Sequence, residues 1–161
     1  MPDKRQIPQH PRVPPLTVRR LLARTPSPAH AVAVDAPVRA ALQAMAEHAV
    51  RAVVVVDGSR VVGVFSENAA ASRDPAATLE PLRQAIDGMA VVATGEQTVQ
   101  ECIALMDEKR VRYLPVCEDG RLIGLLTLDD LLRGVIAHYE LVFRELELDQ
   151  RILFLRGTYS C

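Results

Sequence analysis

Hydrophobic and polar residues alternate most clearly in the second half of the chain. A short aliphatic run at residues 90–93 predicts a strand. Thr98, with Glu101 three residues later, predicts a capping box at the start of a helix. Two further aliphatic runs, YLPVC and RLIGLL, predict strands joined by a hairpin turn at Glu118-Asp119-Gly120, and a second helix is expected to begin at Thr127.

The first half of the chain shows the same order of elements. A strand is predicted at residues 31–34, a helix at Val38–His48, and two strands at AVVVV and RVVGVF, with a turn at Asp57-Gly58-Ser59 between them. Thr17 is expected to cap a helix that begins at VRRLLAR. A connecting helix is predicted over residues 79–89, between the two halves.

The two halves are an internal repeat. A shift of 61 residues places residues 37–73 on 98–134 without a gap, and eight positions are then identical: Val38, Met45, Glu47, Val50, Arg51, Val55, Arg60 and Gly63 fall on Val99, Met106, Glu108, Val111, Arg112, Val116, Arg121 and Gly124. Each copy has the order β-α-β-β-α. One copy alone could bury little apolar surface, so the fold class is α/β with the two copies packed on each other.

The boundaries of these segments follow from the pattern. Residues 1–16 form a flexible, Pro-rich basic arm, 17–76 the first repeat, 77–136 the second, and 137–161 a helical extension. From Leu128 to about Leu155 there is no proline, and an apolar stripe continues along the predicted helix. Because this helix is longer than its repeat requires, its apolar face needs a partner, and we expect a homodimer.

Composition and charge exclude several classes of function. Hydrophobic residues make up 49% of the chain and aromatic residues only 4%, so the core must be aliphatic. The net charge of −1 argues against nucleic acid as a partner. Basic residues are concentrated in residues 1–24, however, either as a solvated tail or as an arm that contacts a phosphate-bearing partner. No apolar run is long enough to cross a membrane.

The cysteines and histidines do not point to catalysis or to a metal. Cys102, Cys117 and Cys161 lack CxxC spacing, and an odd number of cysteines without a secretory signal fits the reducing cytoplasm. We expect Cys161 to be a free thiol. The four histidines are scattered, and nucleotide-binding or hydrolase motifs such as GxxxxGK[ST] and GxSxG are absent. We therefore expect no enzyme activity and no obligatory cofactor.

The second repeat resembles the CBS (cystathionine β-synthase) domain. The segment VQECIALMDEKRVRYLPVCEDGRLIGLLTLDDLL has the helix with Met, the R-V-R-Y-L-P-V strand and the Gly-apolar-apolar-Thr-x-x-Asp ending of that family. The first repeat fits the pattern less completely. The resemblance implies a pseudo-two-fold pair, or Bateman module, with clefts between the repeats that bind adenosine-containing ligands such as AMP, ADP, ATP, NAD or S-adenosylmethionine. It also implies a homodimer that regulates another protein.

The resemblance makes Asp130 the carboxylate that binds ribose and Thr127 the neighbouring hydroxyl. An aspartate can accept hydrogen bonds from both ribose hydroxyls, and the start of a helix favours an anion. The spacing alone equally predicts a helix cap between Thr127 and Asp130. In the first repeat the aligned residues are Ser66 and Ala69, so the carboxylate is missing and binding is expected to be asymmetric.

Five further residues complete the expected site. Backbone groups near Val92 and Ala93 are expected to contact adenine. Arg51 and Arg112, at the start of equivalent strands, are candidates for phosphate contacts or, alternatively, exposed charges at the strand edge. Tyr113 is a candidate for base stacking or for core packing. Two functions remain open: a nucleotide sensor, or a structural dimerisation module whose clefts are empty. Nucleic-acid binding through residues 1–24 is a third, weaker alternative.

Overall fold

The computed structural model describes residues 13–86 and 90–157 of the 161-residue chain. The strands and helices are α1 (Val18–Arg24), β1 (Ala31–Ala33), α2 (Val38–His48), β2 (Ala52–Asp57), β3 (Arg60–Ser66), α3 (Glu67–Ala71), β4 (Ala93–Thr94), α4 (Val99–Lys109), β5 (Tyr113–Glu118), β6 (Arg121–Thr127) and α5 (Leu128–Gly157). The predicted α/β fold, with two repeats and a long final helix, is confirmed. Most of the predicted arm and Cys161 lie outside the described residues.

Each repeat forms its own three-stranded sheet. In the first sheet β1 pairs in parallel with β2, and β2 pairs in antiparallel with β3; β4, β5 and β6 repeat this arrangement. The register shifts at equivalent places, between Val55 and Val56 in one sheet and between Val116 and Cys117 in the other. The repeat in the sequence therefore extends to a shared irregularity in strand pairing.

The hairpins and helix ends follow local sequence signals. The predicted turn between β5 and β6 places Asp119 and Gly120 at φ 50° and 73°, the left-handed region that this kind of hairpin turn requires. The predicted capping box of α4 is present: Thr98 Oγ1 accepts from the Glu101 N–H at 3.2 Å, and the Glu101 carboxylate accepts from the Thr98 N–H at 2.7 Å. Thr17 caps α1 as predicted.

The prediction of a connecting helix at residues 79–89 is wrong for the described residues. The chain instead makes two short 3₁₀ turns, Pro75–Leu79 and Leu82–Gln84, while residues 87–89 lie outside the description. Glu80 and Pro81 between the turns are extended, with ψ of 144° and 145°. Proline disfavours helical backbone in the residue before it, so Pro81 prevents a continuous helix.

Two short segments cross between the repeats, so that each packs against the repeat that it does not directly precede. We call Leu16–Leu22, which includes α1, the first crossing segment and Glu80–Ile86 the second. The Val18 and Arg19 N–H groups donate to the Gln97 and Gly95 carbonyls, both at 2.9 Å. The equivalent N–H groups of the second segment, Leu82 and Arg83, donate to the Ala36 and Val34 carbonyls at 2.8 and 2.9 Å. Each repeat is therefore completed by a segment that precedes the other repeat.

The exchange also determines the cores. Leu16, Val18 and Leu21 are buried with the apolar residues of the second repeat, whereas Leu82 and Ala85 are buried with those of the first. A third cluster, centred on Ala52, Val54 and Leu125, joins the two sheets. Burial of these aliphatic side chains stabilises both repeats as one body.

Helix α5 extends well past the second core. Leu131 is fully buried, and the bare backbone of Gly134 allows close packing of α1, since a Cβ there would lie 2.3 Å from Leu21 Cδ1. Beyond this point most apolar side chains are exposed: Tyr139, Leu141, Phe143, Leu148, Ile152, Leu153 and Leu155 among them. Among the described residues no helix is both long and apolar enough to cross a membrane.

Candidate functional site

A cleft of about 1190 Å³ opens between the repeats beside the start of α5. The first repeat contributes the start of β2 and the segment before β1, and the second contributes α4, the start of β5, the end of β6 and the first turns of α5. The lining residues include Pro26, Ser27, Pro28, Val50, Arg51, Ala52, Ile103, Asp107, Arg110, Arg112, Tyr113, Leu125, Thr127, Asp129, Asp130 and Arg133. Its walls are apolar, and charged groups of both signs converge on them.

Thr127 and Asp130 are held against each other at one side of the cleft. Asp130 Oδ2 accepts from the Thr127 N–H at 2.9 Å and from Thr127 Oγ1 at 2.8 Å, and the Asp130 N–H donates to Thr127 Oγ1 at 3.2 Å. The predicted cap is therefore present. These bonds use Oδ2 only, and no described residue hydrogen-bonds to Oδ1, which is free to accept a hydroxyl of a ligand.

The equivalent position in the first repeat is chemically different. Ser66 Oγ accepts from the Ala69 N–H at 3.4 Å, so only half of the reciprocal cap is present. Ala69 has no carboxylate and packs against the core of the first repeat. Helix α3 then ends after five residues. The caps at the two equivalent positions therefore differ in geometry as well as in residue type, while asymmetric ligand binding stays a prediction.

The two equivalent arginines of the cleft have different environments. Arg51 Nε donates to Glu67 Oε1 at 2.6 Å, and its Nη2 contacts the same oxygen. Leu128 takes the place of Glu67 in the second repeat, and Arg112 forms no ion pair with any described residue. Glu67 raises the pKa of Arg51 through this hydrogen bond and its charge, with smaller contributions from Tyr113 and Asp129.

The cleft brings together five of the seven predicted site residues: Arg51, Arg112, Tyr113, Thr127 and Asp130. Val92 and Ala93 do not line it. Ala93 is fully buried in β4, and Val92 is 36% exposed elsewhere. The cleft is lined instead by Pro26, Ser27 and Pro28, which follow the first crossing segment. This segment lies against β6, since the Ser27 carbonyl accepts from the Leu125 N–H at 3.2 Å.

Several lining residues escaped the sequence analysis. Ala104 and Asp107 are exposed on α4 beside the half-buried Ile103, and Arg133 lies on α5, about one turn after Asp130. The Pro-Ser-Pro segment carried a recognisable signal, since two prolines restrict the backbone before β1. Nothing in its pattern indicated which repeat it would face.

The two described cysteines, Cys102 and Cys117, do not add a reactive or metal-binding centre to this cleft. Burial raises the pKa of Cys102 to about 11, with a further contribution from the charge of Glu101, and burial also raises the pKa of Cys117. A raised pKa keeps the thiol protonated and poorly nucleophilic. Over residues 13–86 and 90–157, no group of three or more His, Cys, Asp or Glu side chains is placed to hold a metal ion.

The two repeats agree with comparison to known proteins. The family model of the CBS domain matches residues 18–73 and 81–137. The chain belongs to the CBS domain family. A solved CBS domain, NE2398, is 30% identical with a TM-score of 0.67, and the match covers 75% of this chain and 98% of that one.

Two further CBS structures are similar. A putative signal-transduction protein with CBS domains from Burkholderia ambifaria MC40-6 is 33% identical, with a TM-score of 0.65 and coverage of 75% of this chain and 94% of that chain. The cytosolic domain of the Mg²⁺ channel MgtE, solved in complex with ATP, is 26% identical, with a TM-score of 0.56 and coverage of 65% and 44%. CBS-domain pairs are typically regulatory, non-catalytic modules, and adenine nucleotides bind to some of them.

Proposed function

We propose that this CBS pair is a regulatory sensor that binds an adenosine-containing ligand in the cleft beside α5. The observation that carries the proposal is the position of Asp130, whose Oδ2 is held by Thr127 while Oδ1 is free of hydrogen bonds to the described residues. A carboxylate held in this way is preorganised to accept hydrogen bonds from ribose hydroxyls. The ATP complex of the MgtE cytosolic domain supports the ligand class.

The other parts of the ligand have chemically suitable neighbours. Arg112, Arg110 and Arg133 line the cleft as candidate phosphate contacts. The first N–H groups of α5 add a favourable field for an anion at the same end. The base would contact Pro26–Pro28 and the apolar side chains of Ile103 and Leu125 rather than Val92 and Ala93, because only the former line the cleft. Tyr113 is a candidate for stacking.

A thermal-shift panel tests this function. We expect AMP, ATP or NAD to raise the melting temperature in a concentration-dependent way, because a ligand that binds only the folded state stabilises it. S-adenosylmethionine belongs in the panel, but it offers no phosphate to the arginines and is expected to bind more weakly. GTP and inorganic phosphate are controls for the base and for the phosphate alone. If no adenosine compound shifts the melting temperature at millimolar concentration, the proposal is wrong.

A structural dimerisation module without a nucleotide is the second candidate. It is favoured by the cap itself, because the Thr127–Asp130 hydrogen bonds stabilise the start of α5 without any ligand. We propose a homodimer in either case, with α5 at or near the interface, since its half-buried Val142 and Leu146 continue an apolar stripe past the core. Changing both residues to Glu should give a folded monomer by sedimentation; a wild type that is monomeric at tens of micromolar would contradict the homodimer.

We also propose that the protein works in the cytoplasm. Cys102 and Cys117 are free thiols, which fits a reducing compartment. Cell fractionation with a tagged protein would test this location.

A further inference from the structure

The Arg51–Glu67 pair lies at the edge of the cleft and has no counterpart in the second repeat. Arg51 lines the cleft. Glu67, on α3, contacts the Arg51 guanidinium but does not itself line the cleft. The Glu67 side chain is 42% exposed and that of Arg51 is 77% exposed, so both remain accessible to solvent and to ligand. The pair therefore joins the cleft to a helix of the first repeat.

The Glu67 carboxylate occupies the edge of the Arg51 guanidinium that could otherwise bind a phosphate. Nε and Nη2 both contact one oxygen of Glu67, and these two nitrogens form one of the edges that Arg offers to a carboxylate or phosphate. Glu67 is held in place because its N–H donates to the Arg51 carbonyl at 3.0 Å and because Ser66 caps the short helix that it begins. Arg112 carries no such restraint from a described residue.

We propose that Glu67 competes with the phosphate of the ligand for Arg51. The phosphate must displace the Glu67 carboxylate before it can contact the guanidinium. This inference rests on the function proposed above. A carboxylate on this edge of Arg51 takes the place that a phosphate oxygen would occupy. Its negative charge also opposes a phosphate electrostatically, and Arg51 lowers the pKa of Glu67, so the group stays ionised at neutral pH. Glu67 thereby lowers affinity for nucleotides but leaves binding of the uncharged nucleoside unaffected.

Competition also has a consequence for signalling. When a phosphate binds Arg51, Glu67 loses its side-chain partner, and α3 keeps only the backbone hydrogen bond between the Glu67 N–H and the Arg51 carbonyl as its tie to the start of β2. Ligand binding in a cleft built mainly by the second repeat would then change the contacts of α3 in the first repeat. Because one discrete contact replaces another, this is a two-state element that ligand binding biases.

Isothermal titration of Glu67→Gln with ATP and with adenosine tests the inference. Removing one surface ion pair is expected to tighten ATP binding by about 2- to 5-fold at low salt, with no change for adenosine. Glu67→Leu, which places the residue of the second repeat at this position, should behave in the same way and is a second variant if the first folds poorly. Adding Arg51→Ala should abolish the gain.

Glu96→Gln is the matched control, since Glu96 forms an ion pair of 2.6 Å with Arg19 and does not line the cleft. It removes the same charge and should leave ATP affinity unchanged. If wild type binds ATP and Glu67→Gln binds it equally or more weakly, the inference is wrong while the proposed function stands. If neither wild type nor the variants bind adenosine, ATP or any other adenosine compound of the thermal-shift panel, both are overturned.

Discussion

The two repeats share the same strands and crossing segments but differ in the side chains at the start of their last helix, beside the cleft. Both contain a three-stranded sheet with the same shift in register, and both receive a crossing segment held by equivalent hydrogen bonds. Even an ion pair is repeated: Arg19–Glu96 and Arg83–Asp35 both measure 2.6 Å. In contrast, Asp130 corresponds to Ala69, Leu128 to Glu67, and a 30-residue helix to a five-residue one.

The comparison separates what the fold requires from what the site requires. Apolar strands, hairpin turns and exchanged segments are needed twice, because each repeat is completed by the other. Of the two equivalent positions Asp130 and Ala69, only the one at the start of α5 has a carboxylate, and one of its oxygens has no hydrogen bond to a described residue. Four substitutions test this division between fold and site, in order of decreasing expected effect.

The largest effect is expected where the repeats interlock. Leu82, on the second crossing segment, is fully buried in the core of the first repeat. Leu82→Ala should lower the free energy of unfolding by about 2–5 kcal/mol, through lost apolar burial and the cavity left behind. Because the crossing joins both cores, the variant should still unfold in one calorimetric transition.

Leu79→Ala is the control for that variant, since Leu79 is 69% exposed and should change stability little. Two separate transitions in the Leu82→Ala variant would show that the repeats unfold independently, against the interlocked account.

The second effect concerns Asp130. Losing hydrogen bonds to a charged acceptor costs about 1.5–3 kcal/mol, so Asp130→Ala should weaken binding of an adenosine ligand by about 10- to 150-fold. Asp130→Asn should also bind more weakly while keeping the shape. Asp129→Ala, a neighbouring carboxylate that lines the same cleft, should not weaken binding. Equal affinity in wild type and Asp130→Ala would refute the site assignment.

The third effect tests the close packing of α5 on the first crossing segment. A Cβ at Gly134 would lie 2.3 Å from the buried Leu21 side chain. The overpacking should cost about 1–3 kcal/mol, partly offset by up to about 1 kcal/mol from the better helix propensity of alanine. Chemical denaturation of Gly134→Ala should show net destabilisation. Gly157→Ala, with no atom within 4 Å of its added Cβ, should not be destabilised.

The smallest effect distinguishes the caps of α2 and α4. Thr98 completes a capping box on α4, whereas Pro37 gives α2 no side-chain cap. Thr98→Ala should lower stability by about 1 kcal/mol. The hydrogen bonds from Thr98, first that of its backbone N–H, lower the pKa of Glu101.

The sign of the pH dependence follows from that direction. A lowered pKa means that the contribution of Glu101 is present above the ordinary carboxyl pKa and is lost as the pH falls through the folded-state value. Denaturant titrations between neutral and acid pH should show a smaller acid-side loss in Glu101→Gln than in wild type. An identical pH profile for both proteins would contradict this assignment.

The sequence predicted the elements well, because their signals are local. The capping box at Thr98, the hairpin at Asp119-Gly120 and the two strand pairs depend on neighbouring residues and are confirmed. The prediction of a helix at residues 79–89 was wrong because it gave the apolar spacing more weight than Pro81. The proline disfavours helical backbone at Glu80 and so ends any helix there.

The cleft was predictable only in part, because its walls are assembled by long-range packing. Thr127, Asp130 and the two arginines stand at recognisable positions of the repeat. The part of the wall formed by Pro26–Pro28 depends on the crossing of α1 to the other repeat, which no local pattern encodes. The restraint of Arg51 by Glu67 was not predicted, although the hairpin that pairs Ala52 with Ser66 places the two residues side by side.

Binding stoichiometry tests the central claim most directly. Calorimetric titration of the 161-residue chain with the nucleotide that most raises its melting temperature should give one ligand per chain, because only the second repeat has a carboxylate at the position of Asp130. Asp130→Ala should abolish most of that heat at the same concentrations. Two equivalent sites per chain, or one site that Asp130→Ala leaves intact, would contradict the claim that the cleft beside α5 is the sensing site.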